Sequence, residues 1–287
     1  MHPLVLEFAN GRTFFYGMVI SLIACASRLR SKGGKSRGAL RIVAILGAVL
    51  VIASATPLPI WIYVLWLLLL AVNAALPARD EERAKKRGWL VFGCLAVLAI
   101  LMMMLEAPYH LTPSIPFPRG KALYVIGDSL SMGADTQEQN WPELLGVKAN
   151  VPVRNFSFGG AKVGSALHNA ERIEADDALV ILEIGGNDVL YRTAVRDYAA
   201  DLGELLATVC QPGRQVVMFE LPLPPFHNGY GRVQRKLART YGVTLIPKRY
   251  LTKVLGAPDS TLDGLHFSHT GNELMAETVW RLFEKRG

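Results

Sequence analysis

The stretch YVIGDSLSMG, Tyr124 to Gly133, sets an apolar run directly against Gly-Asp-Ser. Residues Ala122–Gly127 read as a short, nearly continuous apolar strand, the pattern of a strand covered on both faces. The glycine at its end permits a turn. Asp128 is suited to cap a helix that starts after Ser129 and to tighten the turn. Neither role accounts for the hydroxyl of Ser129, which therefore depends on what else the chain carries.

Outward from this stretch, strand-like and helix-like segments alternate. Strands are expected at Ala122–Gly127, Val151–Phe158, Ala178–Ile184, Gln215–Leu221 and Val243–Ile246. Helical patterns fall near Asn140–Leu145, Val163–Ala175, Thr193–Val209, Gly231–Tyr241 and Thr270–Lys285. Short apolar strands alternating with helices argue for an α/β fold with a parallel sheet covered on both faces. In such sheets, sites gather where strands end and loops begin.

Before this region the chain is different. Of the 287 residues, 51% are hydrophobic and 19% charged, and nearly all the apolar excess precedes about residue 106. Residues 1–106 read as a transmembrane region, with spans expected near 8–27, 39–56, 58–77 and 89–106, because a bilayer core of ~30 Å needs about 20 helical residues. The first run is the shortest. A cleaved signal peptide is the alternative there, but no basic region lies close to Met1, and Arg28 and Arg30 follow where a cleavage site would fall.

The net charge of +7 concentrates in two loops: RLRSKGGKSRGALR, residues 28–41, and ARDEERAKKRG, residues 78–88. They flank apolar runs without interleaved aromatics, so they read as topology signals and not as a nucleic-acid surface. Both belong in the cytoplasm, which sends everything after Glu106 to the far side of the inner membrane, periplasmic or extracellular. GGKS at 33–36 is not a phosphate loop, since Leu29 stands where the first glycine is needed and no strand precedes it. Residues 107–121, with four prolines, form a semi-extended tether, and 122–287 form the globular domain. Cys25, Cys94 and Cys210 offer neither a disulfide within that domain nor a metal-ligand spacing.

A serine hydroxyl attacks an acyl carbon only when a base takes its proton, and the oxyanion that forms needs fixed donors. The base candidate is His266 in LDGLHFSHTG, with Asp263 three residues earlier. A short loop lets that carboxylate hold one imidazole nitrogen and leave the other for the serine. The donor candidates are Gly160 in NFSFGGAKVG, with adjacent Gly159 as the alternative, and the Asn187 amide in LEIGGNDVL.

With GDS around Ser129, a glycine after the second strand, GGND around Asn187 and DGLH from Asp263 to His266, the chain resembles the SGNH (GDSL) hydrolases over roughly residues 121–287. The resemblance implies a three-layer α/β/α, flavodoxin-like domain. It implies Ser129 as nucleophile, His266 as base and Asp263 as the orienting acid. The N–H groups of Ser129 and Gly160 and the Asn187 side chain would form the oxyanion hole. One departure is that Ala161 and Lys162 follow Gly160, where the family often has a polar pair.

The expected function is a membrane-anchored esterase that cuts acyl groups from envelope glycans or lipids without a cofactor, its partners being the acyl-ester substrate and the lipid bilayer. The alternatives are an O-acyltransferase modifying an envelope polysaccharide and a non-enzymatic assembly subunit. Asp188 is expected to anchor a loop, His269 to cap a helix or face solvent, and His168 and His227 to lie on the surface. Trp141 suits an acyl pocket or the core.

Overall fold

A computed structural model describes residues 3–31, 33–76, 82–116, 122–133 and 139–283. Residues 117–121 of the expected tether, the basic positions Lys32 and Arg79, and residues 284–287 lie outside the described residues. The chain divides into two compact units. One comprises Glu7–His110 with the short segment Pro224–Asn228; the other comprises Leu111–Leu223, the chain from Gly229 onward and the first six residues.

After a short helix, α1 (Pro3–Ala9), the four apolar runs all form helices: α2 (Arg12–Arg30), α3 (Gly34–Ala53), α4 (Ile60–Ala75) and α5 (Glu82–Glu106). Two of them are long and apolar enough to cross a membrane, namely α3 and α5 with the turn that carries it to His110. Helix α4 is apolar but only 16 residues long, and α2 carries Arg12, Arg28 and Arg30 within its 19. The basic segments before α3 and α5 are helical too, so both helices start earlier than the apolar runs, as the helix propensity of Lys and Arg allows.

Helices α2 and α3 pack backbone to backbone. A Cβ on Gly17 would collide with the Gly47 carbonyl oxygen, and one on Gly47 with Ser21 Oγ, while Ser21 Oγ donates to the Ala44 carbonyl at 3.2 Å. Small residues at a helix crossing are the means by which apolar helices associate without a hydrophobic driving force. Phe14, Met18, Trp66, Leu95 and Met102 fill the interior. Ile42, Ile45 and Leu46 of α3, Trp61 and Leu68 of α4, and Leu90, Val97 and Met104 of α5 face outward.

The second unit is built on a parallel sheet of β1 (Ala122–Gly127), β2 (Val153–Asn155), β3 (Ala178–Glu183), β4 (Gln215–Phe219) and β5 (Thr244–Ile246). Its order is β2-β1-β3-β4-β5, the flavodoxin-like arrangement. The connecting helices are α6 (Ser129–Met132), α7 (Trp141–Ala149), α8 (Val163–Ala170), α9 (Gly186–Leu190), α10 (Val195–Val209), α11 (Asn228–Tyr241), α12 (Arg249–Leu255) and α13 (His269–Phe283).

Side chains alternate across a sheet. Leu123, Val125, Leu179, Ile181, Val217 and Phe219 share one core with Trp141, Leu145, Met275 and Val279 of α7 and α13. The intervening residues Tyr124, Ile126, Val180, Leu182 and Met218 are equally buried and face the opposite layer, where α8 and α10 pack together. This is the expected three-layer domain.

Strand β2 is shorter than expected. Pro152 has no N–H to offer a ladder, yet pairing continues irregularly as Phe156 donates to Val125 O and Phe158 to Gly127 O. The short helices α6, α9 and α12 escape a periodicity reading because each is too brief to show a period.

Candidate active site

The strand order reverses between β1 and β3, and the crevice at such a switch point is where this architecture places ligands. Two of the motifs sit there, directly after β1 and β3. Ser129 opens α6 and is partly exposed. Asp128 caps that helix, its Oδ1 accepting from Leu130 N–H at 3.0 Å. Gly127 is not in the left-handed region. Its need for glycine is spatial, because a Cβ there would lie 2.5 Å from Ser131 Oγ and 2.9 Å from the Glu183 carbonyl oxygen.

The loop after β2 brings Gly159 and Gly160. Gly159 N–H is occupied by Met132 Sδ at 3.1 Å. Gly160 adopts φ +73°. Among the described residues, the N–H groups of Gly160 and Ser129 are donors to nothing. Asn187, in the first turn of α9, donates from Nδ2 to the Ala161 carbonyl at 3.0 Å and lies 3.4 Å from Asp128 Oδ2. One amide thus ties together the loops after β1, β2 and β3. Asp188 anchors a loop as expected, accepting from Val163 N–H at 2.9 Å.

His266 and Asp263 lie in a turn closed by an antiparallel bridge between Thr261 and Phe267. Asp263 Oδ2 is 2.7 Å from His266 Nδ1, and its Oδ1 accepts from the backbone N–H groups of Leu265 at 2.9 Å and His266 at 2.8 Å. These bonds, the His266 backbone N–H foremost and then the imidazole, hold the Asp263 carboxyl well below the usual carboxylate range. With Nδ1 engaged, the imidazole tautomer is set and Nε2 is left for another group. A positive charge on the imidazole would lower the Asp128 pKa, against the larger effect of burial.

Beneath these groups is a buried carboxylate pair. Glu183, at the end of β3, accepts from Ser131 Oγ at 2.8 Å, and Ser131 Oγ accepts from Trp141 Nε1 at 3.2 Å. Burial first, then the Asp128 charge, push Glu183 well above its ordinary range. Burial likewise pushes Asp128 up to about 6, opposed by the Leu130 N–H and His266. Sequence reasoning missed Ser131 and Glu183. The available signal was a carboxylate closing the otherwise apolar strand ALVILE. Trp141, fully buried, belongs to the core.

The shift at Asp128 has a consequence for stability. A folded value above the ordinary 3.8 means that the folded state binds the proton more tightly. The contribution therefore favours folding at low pH and is lost as pH rises from about 4 through about 6. Asp128→Asn keeps an oxygen for the cap and removes the charge. Its stability relative to the unmodified protein is expected to improve by about 2 kcal/mol between about pH 4 and pH 7.5, measured by urea titration in detergent. An offset that does not change with pH contradicts this.

His269, exposed, begins α13 beside Glu273 at 3.4 Å, and exposed His168 is 3.7 Å from Glu171. His227, half-buried and not on the open surface, donates from Nδ1 to the Pro225 carbonyl at 2.9 Å.

Known proteins share sequence and fold with this chain. Over 174 residues the chain is 30% identical to an arylesterase of Vibrio mimicus, covering 55% of this chain and 85% of the relative. Over 210 residues it is 27% identical to the esterase TesA of Pseudomonas aeruginosa, covering 68% and 96%. A crystal structure of TesA superposes with a TM-score of 0.50 at 27% identity, over 57% of this chain and 98% of that one. The psychrotrophic esterase EstA of a Pseudoalteromonas species, at 21% identity and a TM-score of 0.52 over 57% and 97%, shares the fold. The model of the GDSL-like lipase/acylhydrolase family matches residues 125–274, more than half the chain and all four motifs, and the protein therefore belongs to that family of ester-cleaving hydrolases.

Proposed function

We propose that the protein is a membrane-anchored esterase that removes acyl groups from a lipid or lipid-linked glycan of the cell envelope, with Ser129 as nucleophile. The observation that carries this reading is the Asp263–His266 pair at 2.7 Å, with Nε2 free among the described residues.

Nε2 of His266 takes the Ser129 proton as Oγ attacks the acyl carbon, and Asp263 stabilises the imidazolium. The oxyanion faces the unclaimed N–H groups of Ser129 and Gly160, and the Asn187 N–H that makes the long 3.4 Å contact with Asp128 turns to it. The engagement of Gly159 N–H by Met132 favours Gly160 over its neighbour. Collapse expels the alcohol, which takes its proton from Nε2. Water then attacks the acyl-serine by the same route in reverse. Asn187→Ala is expected to lower kcat by about 10²–10³ with little change in KM, and an equal loss in the two parameters' ratio through KM alone contradicts the assignment.

Membrane anchoring is supported by the outward apolar surface of α3, α4 and α5, too extensive for a water-facing bundle. Lysines and arginines before α3 and α5 support a cytoplasmic location for those ends and an outer location for the residues after α5. A preference for acyl chains is supported by the exposed side chains of Met132, Leu190, Tyr191, Leu262 and Leu265, each within a few positions of Ser129, Asn187 or His266.

The test is a series of aryl esters from acetyl to lauroyl on the full chain in detergent. Each methylene held by apolar surface adds about 0.8 kcal/mol, so kcat/KM is expected to climb steeply along the series. An acetyl optimum overturns the lipid assignment while preserving the esterase. Acyl transfer to an added glycan in preference to water overturns hydrolysis.

A further inference from the structure

A cavity of about 410 Å³ lies among α2, α3 and α4, within the range of small-molecule sites, about 300–1,000 Å³. Its walls are apolar for most of their length. Helix α3 contributes Ala44, Ile45, Ala48, Val49 and Ile52, which fall on one face, and α4 contributes Leu67 and Leu70. One end is polar, formed by Arg28 from the last turn of α2, Arg41 of α3 and Asn73 near the end of α4.

That polar end is built around buried side chains. Arg28 is 2% exposed and Asn73 0%. Arg28 donates to the backbone carbonyl of Asn73, to Leu76 O at 3.2 Å and to Asn73 Oδ1 at 3.5 Å. Its Nε and the Asn73 Nδ2 are buried donors without an acceptor among the described residues. No carboxylate among the described residues pairs with this guanidinium. A buried charge that among the described residues meets only neutral oxygens is costly, and an anion with several acceptor oxygens would complement it. Arg41, exposed beside it, adds a second positive charge at the mouth.

We propose that this groove seats one acyl chain of an anionic phospholipid, its phosphate held by Arg28, Arg41 and Asn73. Arg28 sits in the last turn of α2 and Arg41 two turns into α3, bordering the basic segment that the topology places on the cytoplasmic side. Basic pockets between membrane helices on that side suit anionic headgroups. The apolar wall then runs from the headgroup level toward the bilayer centre, the direction an acyl chain takes. This inference rests on the membrane-anchored reading.

The test is native mass spectrometry of the full chain, purified in a mild non-ionic detergent and offered phosphatidylglycerol or phosphatidylcholine. One phosphatidylglycerol is expected to be retained, about tenfold more than phosphatidylcholine, a difference of about 1.4 kcal/mol. Arg28→Gln removes the buried charge and is checked for folding by its melting temperature. Arg41→Gln and Ala71→Phe alter exposed positions, the second filling the groove from its rim with every charge left in place. Each is expected to lower phosphatidylglycerol retention about tenfold. Equal retention of the two lipids, or undiminished retention in both exposed-position variants, overturns the proposal. A chain that leaves membranes on alkaline carbonate washing overturns the anchoring itself; one that stays membrane-bound but retains no phosphatidylglycerol overturns only this inference.

Discussion

Ser129→Ala is expected to lower kcat for a short aryl ester by at least about 10⁴-fold, with the melting temperature nearly unchanged. The two halves of that expectation come from different parts of the structure. The cap of α6 is supplied by Asp128, and Ser129 Oγ holds no partner among the described residues, so removing it leaves no buried group unsatisfied. The N–H of residue 129 survives in alanine and still faces the oxyanion. What disappears is the attacking atom. Residual turnover above the uncatalysed rate then comes from the donors alone. Unchanged kcat would remove Ser129 from the chemistry and with it the proposed mechanism.

His266→Ala is expected to cost a similar factor, about 10⁴ or more, because base and nucleophile act as one unit and their losses do not add. The double variant Ser129→Ala/His266→Ala should therefore be scarcely slower than either single one. Asp263→Asn is the more discriminating change. It keeps an acceptor for the backbone N–H groups of Leu265 and His266 but can present an N–H to Nδ1, which favours the wrong tautomer, and a loss on the order of 10²–10⁴ follows. Because its hydrogen bonds hold the Asp263 carboxyl low, it stays ionised well into the acid range. The acid limb of the activity profile is then not set by Asp263. A variant at residue 263 with full activity at every pH would assign the orienting role elsewhere.

The buried pair Asp128 and Glu183 gives the site its rigidity. Glu183 is bonded through Ser131 to Trp141, so the helix carrying Ser129 is tied to the end of β3 and to the core. The Asn187 amide links the remaining loops to the same place. Groups in three loops that, as proposed, meet one oxyanion to within a fraction of an ångström need such support.

Much of this was legible in the residues. The alternation of short apolar strands with amphipathic helices specified a parallel, layered domain, because burial on two faces leaves a local signature in every strand. Gly-Asp-Ser, Gly-Gly-Asn-Asp and Asp-Gly-Leu-His marked out the groups proposed to act on an ester, since few residue types can supply a nucleophile, a base and neutral donors. The Asp263–His266 contact was readable too, as only three positions separate the partners. Four apolar runs announced four helices, but among the described residues their lengths and charges leave only α3 and α5 meeting the requirements of a span.

Other features arose only when distant segments met. That β1 lies between β2 and β3, making the switch point on which Ser129 and Asn187 converge, is a matter of strand pairing, which no local period encodes. The reason for Gly127 is a neighbouring hydroxyl and a carbonyl from β3, not a backbone twist. The raised carboxyl groups of Asp128 and Glu183 follow from burial beside one another, and the orphaned donors of Arg28 and Asn73 from three helix ends coming together. A sequence states which groups a chain owns and how each short segment partitions between water and interior. Which of those groups share a dry space, and what that proximity does to their charges, depends on contacts between residues far apart along the chain.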